Sequence, residues 1–302
     1  MMAVVFQAIG LAAMLEAERC AESLAFAMPT VVGSAALEVV AVSEAGTLAG
    51  MPTGFRFPGR VFDVFGLVPR AVALAAARAG AVERGACRRA RACRADRVRA
   101  LRVARIASLE ALLVGPYASC LAMDSDSVAC GSLEGLLRLA DDARVDVAVR
   151  PAPAAVAKGP AALVPVTVPE PNGGLLLLRN TSKTRRVLGA WRAIYDGEAA
   201  SGATRGAAKH PTSDQPALRA AIFAERARYR TLDRLYGCPA WVDKAARCAT
   251  YAPGRREARD LRRKRDQKLN GANGALWRAH VAHIMRGDAP CLVVHGAHLR
   301  PP

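Results

Sequence analysis

Along most of the 302-residue chain, short apolar runs alternate with longer segments whose apolar positions recur at helical spacing. "AVVFQA" (Ala3–Ala8) predicts a first buried strand. Leu15–Met28 predicts a helix that Pro29 stops, and Thr30 opens the next apolar segment, which makes a β-α-β opening. Residues 44–70 are punctuated by Gly and Pro and predict no clear element. Arg84–Arg105 holds nine arginines and predicts a helix whose earlier arginines scatter around the axis, as on a solvated surface. Arg105 differs from them. Val98, Leu101, Leu109 and Leu112 form one apolar stripe with Arg105 in its middle, so its guanidinium needs a carboxylate or a phosphate as partner, unless it snorkels to water.

Gly115-Pro116 ends that helix, and Ser119–Met123 predicts a strand running into "DSD". "GSLEGLLRLADD" predicts a helix and "RVDVAV" a strand, while the Pro- and Ala-rich residues 151–171 predict a loop. "PNGG" then predicts a polar turn feeding a buried strand at Leu175–Leu178. Thr181 or Ser182 would cap a helix with Val187, Leu188, Trp191, Ile194 and Tyr195 on one face and Gly197 past its end. Residues 202–211 predict a flexible loop. "TSDQPALRAAIF" predicts a helix capped by Thr212 or Ser213 with Pro216 in its first turn, and "RTLDRLYGC" a short strand and loop. Residues 244–290, with "RREARDLRRKRDQK", predict an Arg-rich surface insertion, helical or disordered. The chain closes on a strand, "CLVVHG", that runs into His295. Strands alternating with helices predict an α/β class with a largely parallel central sheet flanked by helices.

Composition adjusts this picture in three places. The content is ordinary for a globular protein, 52% hydrophobic and 23% charged, but the formal charge is +17, carried by 37 Arg against 6 Lys. Such a surface draws phosphate-bearing ligands. Aromatic residues make up 5% and none is interleaved among the arginines to stack bases, which weighs against nucleic acid as partner. No apolar run reaches the 18 residues of a membrane-spanning helix, and the start lacks a basic n-region, which argues against a signal peptide. A soluble chain is expected, in the Golgi or secretory pathway for a eukaryotic source and in the cytoplasm otherwise. The eight cysteines contain no C-x-x-C pair, which weighs against zinc. Cys120 and Cys291 lie in apolar runs and read as buried thiols. Cys87 and Cys93 could pair in an oxidising compartment, but their spacing proves nothing and the redox compartment stays open.

The candidate chemistry centres on "CLAMDSDSVAC" (Cys120–Cys130). By itself "DSD" reads first as a strand-end turn in which Asp and Ser bond their own backbone. If the strand continues, Asp124 and Asp126 share one face about 6–7 Å apart. Convergent carboxylates repel unless a cation lies between them, and a divalent metal is the usual solution. Two more polar clusters fall at the edge where ligands bind in such sheets, Asn172-Gly173-Gly174 and His295, and Asp214-Gln215 stands at a helix N-terminus that favours anions. Carboxylates with an imidazole suit Mn²⁺ or a similar ion, which would bind a diphosphate.

In this order the motifs resemble the nucleotide-diphospho-sugar transferases of the GT-A class, a family that includes the glycogenin-like and the plant and algal cell-wall glycosyltransferases. The resemblance runs through Ala3–Pro29, Arg105 with "ASLEALLVGPYASCLAMDSDSVACGSLEGLL", "PEPNGGLLLLRNTSKTRRVLGAWRAIY", "SDQPALRAAI" and "CLVVHG". Residues 30–95 and 244–290 lie outside it. Gly173 stands where a small polar residue is commoner, and Arg105 where Lys is frequent. The resemblance implies a single catalytic domain over 1–302 that moves a sugar from a nucleoside-diphosphate sugar to a glycan, protein or small-molecule acceptor. It implies that Asp124, Asp126 and His295 hold Mn²⁺ or Mg²⁺ and that Asp124 also touches the ribose. Arg105 would steady the diphosphate or the sugar, Asn172, Gly173 and Gly174 would shape the sugar pocket, and Asp214 and Gln215 would face sugar and acceptor. Two competing readings are a basic polyanion- or nucleic-acid-binding protein, for which the acidic pair is useless, and a transferase-like fold that binds without turnover.

Overall fold

The computed structural model describes residues 1–30, 32, 36–53, 55–81, 91–152, 164, 170–201, 214–251, 253 and 255–296. Ten strands are described: β1 (Met2–Gln7), β2 (Leu37–Ser43), β3 (Arg60–Asp63), β4 (Ser119–Met123), β5 (Ser127–Ala129), β6 (Val147–Pro151), β7 (Pro171–Arg179), β8 (Tyr229–Thr231), β9 (Cys238–Pro239) and β10 (Val293–His295). The described helices are α1 (Leu11–Ala27), α2 (Ala45–Ala49), α3 (Val64–Leu67), α4 (Arg70–Ala81), α5 (Arg91–Val114), α6 (Glu134–Asp141), α7 (Ser182–Ser201), α8 (Gln215–Ala224), α9 (Arg255–Leu269) and α10 (Gly274–Met285).

Seven strands form the central sheet in the order β3-β2-β1-β4-β7-β6-β8. The sheet is mostly parallel; β7 runs antiparallel to both β4 and β6. This is the α/β class that the alternation of elements predicts. The central strands are apolar on both faces because both are covered. Ala3 and Val5 of β1, Cys120 and Ala122 of β4, and Leu176 and Leu178 of β7 enter a core with α5, α7 and α8. Their alternates Val4, Phe6, Leu121, Met123, Leu175 and Leu177 enter a second core with α1 and α6. A third, smaller cluster lies under a second sheet of order β5-β10-β9.

Several boundaries move. The apolar segment expected from Thr30 becomes a strand only at Leu37, and Leu15–Met28 begins at Leu11. Asn172-Gly173-Gly174 is no turn. It is the first part of β7, where a register shift opposite Val149/Arg150 absorbs the glycines. Gly197 lies inside α7 rather than past its end. Thr181 does cap α7, its hydroxyl accepting from the Thr184 N–H at 3.1 Å. The Arg-rich stretch 255–285 is two helices, anchored by Leu261, Trp277 and Ile284 in the third cluster. The expected loop at 202–211, most of that at 151–171, the Thr212 and Ser213 caps and the Cys87–Cys93 pairing lie outside the described residues.

Two disulfides among the described residues correct the cysteine reading. Cys130 pairs with Cys248, and Cys291, expected to be a buried thiol, pairs with Cys238. Cys120 is a buried free thiol as expected, its pKa pushed up to about 12 by burial.

Candidate active site

The strand order reverses between β1 and β4, the place where an open α/β sheet offers a crevice at its carboxyl edge. The acidic pair arrives there by a turn rather than by continued strand. β4 ends at Met123, the Ser127 N–H donates to the Asp124 carbonyl at 3.1 Å, and the chain enters β5. The carboxylates of Asp124 and Asp126 therefore meet because the backbone folds back, not because strand alternation points them the same way. β5 pairs antiparallel with β10 so that His295 stands opposite Ser127, and the Gly296 N–H donates to the Asp126 carbonyl at 3.0 Å. His295 Nε2 then lies 3.2 Å from Asp124 Oδ2 and 3.6 Å from Asp126 Oδ1.

β7 begins at the same edge. The Asp124 N–H donates to the Gly174 carbonyl at 2.9 Å, and Asn172 Oδ1 accepts from the Gly174 N–H at 2.8 Å. A Cβ on Gly174 would lie 2.7 Å from Asp124 Oδ2, 2.8 Å from His295 Nε2 and 3.0 Å from Asn172 Oδ1. Only glycine leaves room for this cluster.

From the third side α5 delivers Arg105, mostly buried, within the stripe that continues into Leu109 and Leu112. Its guanidinium donates to Asp124 Oδ1 at 2.9 Å and to the Gly173 carbonyl at 2.7 Å. The partner that its place on the stripe demands is thus a carboxylate within the chain. Burial disfavours the charge on Asp124, but Arg105, the His295 hydrogen bond and Arg102 outweigh it and hold its carboxyl well below the usual range.

One turn before Arg105, Arg102 forms an ion pair with Asp214, the buried residue that precedes α8. The Asp214 carbonyl accepts from Trp191 Nε1 at 3.0 Å, which ties α7 to the same corner. Gln215, the first residue of α8, also faces the crevice. All nine residues singled out in the sequence, Arg105, Asp124, Asp126, Asn172, Gly173, Gly174, Asp214, Gln215 and His295, line one cleft of about 600 Å³.

Three site features escaped the sequence. Arg102 was grouped with the solvated arginines; its spacing of three residues from Arg105 was the available signal. Gln7, at the end of β1, lines the cleft and donates to the Leu101 carbonyl at 2.6 Å. Arg150 on β6 is buried within reach of the acidic pair's charge and donates to the Gly237 carbonyl. Burial pushes its pKa down to about 10, while Asp124 and Asp126 oppose the shift.

The donor set fits a hard divalent ion. Asp124, Asp126 and His295 each offer one atom, all within 4.8 Å of one another. An octahedral ion with bonds of about 2.1 Å sets adjacent ligand atoms about 3 Å apart and opposite ones about 4.2 Å apart. Two carboxylates and one imidazole are a reasonable set for Mn²⁺ or Mg²⁺ and lack the thiolates that softer metals favour. The arginines of α5 from Arg97 to Arg105, by contrast, are engaged within the chain. Arg97 donates to the Ala79 carbonyl, Arg99 pairs with Asp196, Arg102 with Asp214 and Arg105 with Asp124.

No protein-family model matches the sequence, and no curated protein is matched by it. Solved structures do match. The chain is 13% identical to the galactosyltransferase LgtC in complex with donor and acceptor sugar analogs, with a TM-score of 0.50 over 97% of this chain and 86% of that one. It is 12% identical to mouse xyloside xylosyltransferase 1 in its apo form, with a TM-score of 0.51 over 98% of both chains. To the bifunctional glycosyltransferase WbbM it is 12% identical, with a TM-score of 0.51 over 98% of this chain and 45% of that one. The fold is that of the GT-A nucleotide-diphospho-sugar transferases. No described helix is long and apolar enough to cross a membrane.

Proposed function

We propose that this protein is a metal-dependent glycosyltransferase that moves a sugar from a nucleoside-diphosphate sugar to a glycan, protein or small-molecule acceptor. The observation that carries this reading is the convergence of Asp124, Asp126 and His295 with Arg105 around Gly174, in one cleft at the carboxyl edge of a GT-A sheet. Asp124, Asp126 and His295 would hold Mn²⁺ or Mg²⁺, and Asp124 also touches the ribose. The bound ion supplies Lewis-acid neutralisation of the donor's diphosphate, the main electrostatic demand of the reaction.

The other roles belong to the chain's own residues. Arg105 steadies the diphosphate, adding a fixed positive charge where the leaving group gains negative charge. It is pre-oriented by the Gly173 carbonyl, so little of its freedom remains to be lost on binding. Asn172, Gly173 and Gly174 form the wall of the sugar pocket, with the Asn172 amide held by its bond from the Gly174 N–H. Gln215 faces the sugar and acceptor, and the Arg102–Asp214 pair fixes the corner from which it projects.

The test is turnover. A panel of UDP- and GDP-sugars is incubated with the protein and Mn²⁺, with and without sugar acceptors, and release of the nucleoside diphosphate is followed. Release from at least one donor, abolished by chelation and by Asp126→Ala, is expected. A well-folded protein that binds no member of the panel in the presence of Mn²⁺ or Mg²⁺ removes the proposal.

A further inference from the structure

His295 reaches Asp126 from a small sheet whose strands are very short. The sheet that carries it has strands of three, three and two residues. Pieces this short do not sustain a sheet on their own. The disulfides lie where that deficit is. Cys130 follows β5 directly, Cys291 stands two residues before β10, and Cys238 opens β9, so each strand is tied at one end. Cys130–Cys248 spans 118 residues of sequence and Cys238–Cys291 spans 53, so both bonds join segments that the chain alone would not bring together.

Their distribution is the second argument. The free cysteines among the described residues, Cys20 on α1 and Cys120 on β4, are buried against the large central sheet. Among the described residues, cross-linking is thus seen around the small sheet and not in the cores that already bury ample apolar surface. Beneath the small sheet lies only a cluster of twelve buried residues, and all four bonded cysteines belong to it or pack on it.

We infer that the two described disulfides are positioning bonds for His295, holding its imidazole against Asp124 and Asp126, so that tight ion binding at the cleft requires the oxidised chain. This inference rests on reading the Asp-Asp-His group as a metal site. The line of force is short. The Gly296 N–H donates to the Asp126 carbonyl and the Ala240 N–H to the His295 carbonyl, both at 3.0 Å, and these bonds transmit the placement of β9 and β10 to the acidic turn. Structural disulfides persist in oxidising compartments, so the active form belongs to one of them.

The experiment uses the full chain in two double variants, Cys238→Ala/Cys291→Ala and Cys130→Ala/Cys248→Ala, with folding followed by far-UV circular dichroism. Mn²⁺ binding is measured by the electron paramagnetic resonance of the free ion, and amide exchange is read at Gly296 and Ala240. The central fold should persist, Mn²⁺ affinity should fall by about tenfold or more, as for lost outer-shell support, and both amides should exchange faster. Adding His295→Ala to either double variant should then weaken binding no further. Unchanged Mn²⁺ affinity and unchanged exchange in folded double variants overturn the inference. If the wild-type chain binds no Mn²⁺, the metal reading fails by itself, and exchange decides the positioning role. If the variants do not fold, the same amides are followed in the native chain under a phosphine reductant, where unchanged exchange after reduction overturns the inference.

Discussion

Replacing Gly174 with alanine is the smallest change that tests the geometry of the cleft. Gly174 does not have a positive φ, so alanine can adopt its backbone conformation, and inside a strand alanine is favoured over glycine by roughly 0.5–1 kcal/mol. The fold should therefore be unharmed. The added methyl meets Asp124 Oδ2 at 2.7 Å, His295 Nε2 at 2.8 Å and Asn172 Oδ1 at 3.0 Å, where ordinary contact begins at 3.4 Å. All three are side-chain ends, so they withdraw, by about 0.4–0.7 Å if each moves straight back. A metal site tolerates about 0.2 Å in its ligand distances. Two of the three donors are displaced beyond that, and Mn²⁺ affinity should fall by about 10- to 100-fold, or about 1.4–2.8 kcal/mol. Mn²⁺ titration calorimetry beside a thermal melt measures both quantities on one sample. Wild-type Mn²⁺ affinity in a folded Gly174→Ala protein would refute the reasoning, and a collapse of the fold would show that the glycine serves the strand rather than the site.

Two further outcomes follow from the same structure. Arg105→Met keeps the apolar stem and removes the charge. Asp124 is partly exposed and retains His295, so urea denaturation should show a loss of only about 1 kcal/mol, whereas nucleoside diphosphate affinity should fall by about 1.5–3 kcal/mol. A large loss of stability with unchanged nucleotide affinity would remove Arg105 from the site. His280 is buried beside Trp277, and burial, then Arg150, Arg234 and His283, push its pKa down to about 3. Its depressed pKa means that its contribution to stability is complete above the unfolded value of about 6.5 and is lost as the pH falls towards the folded value. Between those limits the wild type should lose about 1.4 kcal/mol per pH unit more than His280→Phe, as read from urea midpoints at pH 7, 6 and 5; parallel pH profiles would contradict this.

Much of the site was legible because every motif except Arg105 sits where a strand or helix begins or ends at the carboxyl edge, and the order of such ends can be read from apolar runs. Ser119–Met123 was read with its observed bounds, and Asp124 follows it directly. The way the donors converge was not legible. It depends on the turn into β5 and on a small sheet whose strands, two and three residues long, carry no periodicity to detect. The disulfides were hidden for a related reason: partners separated by 118 and 53 residues leave no local spacing pattern, and Cys291 in its apolar run looks like any core thiol. α4 went unread because it begins at Arg70, directly on the Gly- and Pro-punctuated stretch 44–70 that masks its start. Arg102 was missed since its partner Asp214 lies across the fold, and a wheel shows direction but not what waits there.

The most direct test of the central claim is the melting temperature of wild type and Asp126→Ala with Mn²⁺ and a nucleoside diphosphate, each alone and together. At a ligand concentration a hundred times its dissociation constant, binding adds about 2.7 kcal/mol, or about 5 °C for a chain of this size. The account predicts that the nucleotide adds that shift in the wild type only when the metal is also present, and adds none in an Asp126→Ala protein whose own melting is unaltered. A nucleotide shift that ignores the metal, or that survives Asp126→Ala, contradicts it.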